Sequence, residues 1–189
     1  MKYILILLLA LSLPALQGCA PAVVAGAAGG GAAAGDPRSA DTLISDQVIE
    51  TRGMDRLYSD PEVARRIHIN VTSYNGVVLL SGEALSRALR DQAVDTIRNL
   101  KGVRLVHNEI RIADLTGFQS RTRDSWITSK IKARMLATKG FPSSRVKVVT
   151  EAGTVFLMGL VNRELGTQAA EIARRIDGVK RVVKLFEYQ

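Results

Sequence analysis

Residues 70–82 (NVTSYNGVVLLSG) return as residues 147–159 (KVVTEAGTVFLMG): a β-branched run, a small-residue turn, and a second run closed by glycine. Further on, residues 101–106 (KGVRLV) return as 177–182 (DGVKRV). Upstream, Asp46, Ile49, Arg52 and Leu57 match Asp124, Ile127, Lys130 and Met135. The offset drifts only from 78 to 77 to 76 along the chain, so the repeat is a duplicated structural unit rather than a compositional echo. Whatever one copy folds into, the other must fold into as well.

Each copy reads as helix, strand, strand, helix, strand. Asn75-Gly76 and Ala152-Gly153 interrupt apolar runs at the places where a hairpin needs positive φ. Ala93, Ile97 and Leu100 in one copy, and Ala169, Ala173 and Ile176 in the other, have the spacing of a helix with one apolar face. Gly102 and Gly178 then stop these helices. A helix between strands two and three makes the sheet mixed, so the expectation is an α+β chain of two modules. Each is αββαβ, with a three-stranded sheet covered by two helices on one face.

The Asp-x-x-Ile helix start, the V-x-x-x-x-G-x-V-x-L-x-G hairpin and the late Gly-Val before a last strand resemble the BON domain. The resemblance covers nearly all of residues 45–189. It implies tandem BON modules, a non-enzymatic protein, binding of anionic phospholipid through the second module, support of outer-membrane integrity, and enrichment at the division site. The expected boundaries are module one at 45–113, a linker at 114–122 and module two at 123–189. Gly53 stands where module two has Ile131, which should weaken that helix by about 1 kcal/mol in propensity alone. Module one therefore reads as the structural or adapter copy.

Ahead of the repeat, residues 1–18 have the parts of an export signal: Lys2, an apolar run over 4–13, Pro14, and small Gly18 before Cys19. The run is shorter than the about 20 apolar residues of a membrane span. Cys19, the single cysteine, reads as the lipid attachment site, and the stretch resembles a bacterial lipoprotein signal in which the cysteine receives diacylglyceryl and palmitate. Ala20 after it implies transport to the outer membrane, with the protein facing the periplasm. Residues 19–44, rich in Ala and Gly, read as a flexible tether; about 25 such residues span on the order of 25 to 30 Å.

Residues 1–120 hold 12 Lys/Arg and 12 Asp/Glu, whereas 121–189 hold 14 and 6, so the whole excess of +8 belongs to module two. Export excludes nucleic acid, leaving anionic lipid head groups, peptidoglycan carboxylates or acidic protein faces as partners. On the first helix of that module, Ile127, Ile131 and Met135 form the core stripe. Trp126, Lys130 and Arg134 form a second stripe on another face, with Arg121, Arg123, Lys132 and Lys139 adding positive charge nearby. This is the composition of an interfacial helix, with an indole at head-group depth and cations on phosphates. The alternative places Trp126 as a staple in the junction between modules. Val48, its counterpart in module one, offers no such handle.

No cofactor or metal is expected. His68 and His107, the only histidines, have no Cys or carboxylate at a recognisable ligand spacing, and no nucleophile elbow or phosphate loop is present. Two readings follow: a membrane-binding lipoprotein holding anionic phospholipid, or an adapter docking onto envelope assembly or division proteins.

Overall fold

The computed structural model describes residues 35–189; Cys19, the signal segment and most of the tether lie outside the described residues. Module one comprises α1 (Ala40–Leu57), a short α2 (Pro61–Ala64), β1 (Ile67–Tyr74), β2 (Val77–Ala84), α3 (Arg87–Arg98) and β3 (Leu105–Ile112). Module two comprises α4 (Phe118–Ala137), a 3-10 turn (Ser143–Arg145), β4 (Lys147–Glu151), β5 (Thr154–Val161), α5 (Arg163–Arg174) and β6 (Arg181–Tyr188). In both sheets the middle strand pairs antiparallel with the strand before it and parallel with the one after, giving the orders β1-β2-β3 and β4-β5-β6. The α+β reading with two mixed sheets holds.

The local signals act as the repeat indicates. Asn75 and Gly76 have φ of 54° and 73°, and Ala152 and Gly153 have 49° and 79°, the left-handed pair that closes a tight hairpin. The helix starts are capped by Ser39, Ser86 and Asn162, whose side chains accept the amides of Thr42, Leu89 and Leu165. Because Ser39 caps α1, helix begins at Ala40, inside the stretch read as tether, and α4 likewise begins within the stretch read as linker.

A buried aspartate nearly two turns into each first helix ties that helix to its own hairpin. Asp124 accepts the amides of Ala152 and Gly153 at 2.8 and 2.9 Å. Asp46 accepts the amides of Asn75 and Gly76 at 2.7 and 2.9 Å, the Ser73 hydroxyl at 2.6 Å and the Arg38 guanidinium at 2.8 Å. Burial disfavours ionising Asp46, but these four donors outweigh it and hold its pKa below the ordinary aspartate value. Arg38 also grips Asp36 at 2.8 Å and lies 3.9 Å over the Tyr74 ring. Residues 36–38, read from composition as tether, are thus bound to the body of module one.

Alternation along the central strands explains the layering. In β2, Val78 and Leu80 face the module's helices and join Ile49, Leu57, Ile69 and Ile97 in the first core. In β5, Val155 and Leu157 join Ile127, Ile131, Met135 and Ala169 in the second. The opposite faces meet each other: Tyr74, Val77 and Leu79 from module one pack with Phe156 and Met158 from module two, flanked by Val149, Val183 and Leu185. The two sheets therefore stack, each with its helices outside. Polar groups rim this junction. Asn75 and Arg104 hold Glu187 at 2.9 and 2.8 Å, and Lys147 reaches Glu50 at 2.6 Å. At the other end, Asn70 donates to Glu151 at 3.1 Å.

Gly53 proves to be a fitting residue rather than a weak point. It is buried, and a Cβ there would meet Ile97 Cδ1 at 2.9 Å and Val71 Cγ1 at 3.1 Å. The gap left by its missing side chain is already filled from α3 and β1. No helix among the described residues is long and apolar enough to cross a membrane.

Candidate membrane interface

Helix α4 is built by two demands on opposite sides. Asp124 fixes its start to the β4–β5 turn, and Ile127, Ile131 and Met135, at successive i+4 steps, are buried on the sheet. Residues about half a turn away must then point outward. Trp126 is 48% exposed and is not part of the apolar cluster where the two sheets meet. Such exposure is unlike that of a residue packed as a staple.

The Lys130 ammonium sits 4.2 Å from the centre of the Trp126 ring, so the indole and its cation form one unit in the folded protein. Arg123 and Arg134 are exposed on the same flank of the helix, and Lys132 is exposed on the other. Arg134 leans toward α5, lining a groove with Gln168, Glu171, Ile172 and Arg175. The structure thus joins Trp126 with Lys130 and spreads Arg123, Arg134 and Lys132 around them. Among the described residues, none of Arg121, Arg123, Lys130, Lys132 or Arg134 pairs with a carboxylate. Their charge is available to an outside partner.

Leu136 is the addition that sequence reasoning missed. It is 76% exposed, the most exposed large apolar side chain described, on the same outward side of α4 as Trp126 and ten residues beyond it. That separation is about 15 Å along a helix rising 1.5 Å per residue. Next to the core residue Met135 it reads as part of an apolar pair; only the phase of the helix, set by Ile127 and Ile131, turns it out. The outward face accordingly carries Trp126 and Leu136 at its ends, small Ser129 and Ala133 between, and cations on both flanks. Recesses of about 500 Å³ lie at each end: one holds Trp126 and Arg123 beside Gln119 and Asp177, the other Lys132 and Leu136 beside Arg38 and Ser144. Such a face can lie flat on an anionic surface, apolar ends inserted and cations at phosphate level.

Comparison with known proteins matches the BON domain at residues 45–114 and again at 123–189. The chain is 36% identical to "Outer membrane lipoprotein DolP" of Haemophilus influenzae over 173 residues, covering 92% of this chain and 90% of that protein. It is 39% identical to the "21 kDa hemolysin" of Actinobacillus pleuropneumoniae over 153 residues, 81% of this chain and 79% of the relative. Among solved structures, the C-terminal domain of CdsD, a structural protein of the Chlamydia trachomatis type III secretion system, aligns over 76% of this chain and 67% of its own. Its identity is 17% and its TM-score 0.30.

Proposed function

The chain belongs to the BON domain family and is a DolP-like, lipid-anchored outer-membrane lipoprotein, and from that premise we propose that it faces the periplasm and binds anionic phospholipid through helix α4 of its second module. The observation carrying this reading is the outward face of α4, where exposed Trp126 and Leu136 are flanked by cations that pair with no carboxylate among the described residues. Acylated Cys19 supplies one attachment and α4 a second, and two weak attachments on one chain reinforce each other through effective concentration. The role in outer-membrane integrity and at the division site that the family resemblance implies belongs to the same proposal. So does the absence of catalysis.

The test uses the full chain carrying Cys19→Ser with protein-free vesicles. Anionic vesicles should bind it and shift Trp126 fluorescence to the blue, while zwitterionic vesicles should do neither. In cells, Cys19→Ser should leave the outer-membrane fraction. An unshifted spectrum at saturating anionic lipid would overturn the lipid site.

One observation favours the adapter as a second reading. On α1, Ile44 and Val48 are exposed on a helix with more acidic than basic residues. An apolar patch on an acidic helix suits a protein surface better than an anionic bilayer. Failure of vesicle binding would transfer the function to that face.

A further inference from the structure

His68, set aside in the sequence for want of ligand spacing, gains two carboxylates from the fold. It lies on β1 opposite Glu83 of β2, and its Nδ1 is 3.3 Å from Glu83 Oε2. Stacking of the sheets then brings Glu151 of β4 from the other module against the pair. One donor atom from each of the three lies within 4.8 Å of the other two. Glu83 is fully buried and Glu151 nearly so.

We propose that His68, Glu83 and Glu151 form a divalent transition-metal site, of the class that takes zinc, which fastens module one to module two. The donor set of one imidazole and two carboxylates suits a borderline ion. The surrounding residues hold the donors as an ion would need them. Arg111 pairs with Glu83 Oε1, and the Thr116 hydroxyl donates to Oε2 at 3.0 Å, so the carboxylate is gripped from two sides. Asn70 donates to Glu151 Oε2, which leaves Oε1 for a ligand. Such outer hydrogen bonds orient ligands in metal sites.

Charge and satisfaction point the same way. Two carboxylates share one buried site, and the formal cation among their contacts is Arg111, itself half exposed and bound to the far oxygen of Glu83. A second, independent sign is Ser81. It stands two residues before Glu83 on the same face of β2 and opposite Asn70, and its hydroxyl is fully buried with no hydrogen-bond partner. A buried hydroxyl without a partner is uncommon in a folded protein, and a metal-bound water is a partner it can take. An open cavity of about 500 Å³, lined by Arg121 as well as by His68, Asn70, Asp124, Thr128 and Glu151, gives ion and water a path to the site. Tetrahedral zinc with bonds near 2.0–2.1 Å requires its ligand atoms about 3.4 Å apart. The donor atoms lie within 4.8 Å of one another, and in the proposed site the bound ion draws them together.

The test is a zinc titration of the metal-stripped full chain carrying Cys19→Ser, read by competition with a chelating dye and by thermal melting. One equivalent of zinc should bind and raise Tm, manganese should bind more weakly, and magnesium and calcium should not bind. Since each donor ligates deprotonated, binding should release protons and weaken in acid. His68→Ala and Glu151→Gln should each lower affinity at least 100-fold, while His107→Ala should change nothing. A second readout needs no variant: zinc should shift the His68 imidazole signals in an NMR spectrum and leave those of His107 in place. Absence of stoichiometric binding, equal loss with His107→Ala, or unmoved His68 signals would overturn the site. A junction that responds to pH alone would do so too.

Discussion

Helices α1 and α4 occupy the same place in their modules and share their inward faces. Each carries a buried aspartate that holds its hairpin turn, followed by apolar residues at helical spacing: Asp46 with Ile49 and Leu57, Asp124 with Ile127 and Met135. Their outward faces have parted. The sequence of α1 holds four acidic and two basic residues, whereas α4 holds one acidic and five basic. Where α4 has Trp126, α1 has Val48. The inward face answers to the fold and the outward face does not, so a duplicated module can change its surface without changing its architecture.

The largest effect is expected where the copies agree. Replacing Asp46 by Ala leaves the Asn75 and Gly76 amides without their buried acceptor and strands Arg38. At about 1–3 kcal/mol for each unsatisfied buried group, the loss should be about 3 kcal/mol or more, measured by urea unfolding. Asp124→Ala should cost less, because fewer donors depend on it. The lowered pKa of Asp46 carries a pH signature. Its folded value lies below its unfolded one, so its contribution is complete above the ordinary aspartate range and lost as pH falls from about 4 through the folded value. Asp46→Asn should flatten that part of the stability profile. Equal profiles would remove Asp46 as the lock.

Next in size is the difference between the copies. Lys130→Glu with Arg134→Glu should weaken binding to anionic vesicles by well over tenfold, since each cation at such a surface contributes about 1 kcal/mol. Stability should be unchanged, because both side chains are exposed. Trp126→Ala should weaken binding about tenfold and Leu136→Ser less, at the roughly 25 cal/mol per Å² of apolar burial. Their part should survive high salt, while that of the cations fades as the Debye length falls from about 10 Å at 0.1 M to about 3 Å at 1 M. A Trp126→Ala protein that binds normally but unfolds more easily would remove Trp126 from the lipid site and give it a structural role.

Gly53→Ala sharpens the comparison from inside module one. Propensity favours Ala by about 1 kcal/mol, yet the new Cβ would press on Ile97 and Val71. Overpacking costs about 1–3 kcal/mol, so a net loss of about 1 kcal/mol is expected on urea unfolding. A gain would restore the view that α1 is merely weak. The smallest effect is a transplant: Val48→Trp should add almost nothing to vesicle binding, because the four acidic residues of α1 outnumber Arg52 and Arg56, the counterparts of Lys130 and Arg134.

Much of this was legible residue by residue. The hairpin turns, the caps and the core stripes depend on neighbours within a few positions, where backbone sterics and hydrogen-bond reach decide the outcome. The same arithmetic placed Trp126 and Lys130 on a face away from the core. The stacked sheets were only half legible: Leu79, Phe156 and Met158 make the central strands apolar on both faces, which shows that the second face is covered and not by what.

What the sequence by itself determined is the repeated αββαβ unit, its turns and the division of charge between the copies, because those follow from local spacing and from counting. The tertiary structure alone decided that the sheets face each other, that Arg38 closes on Asp46, that Gly53 is filled by Ile97 and Val71, and that His68 and Glu83 meet Glu151. These contacts join residues far apart in the chain or in different modules. Their energy comes from burial and from pairing across surfaces that exist only once both modules have folded.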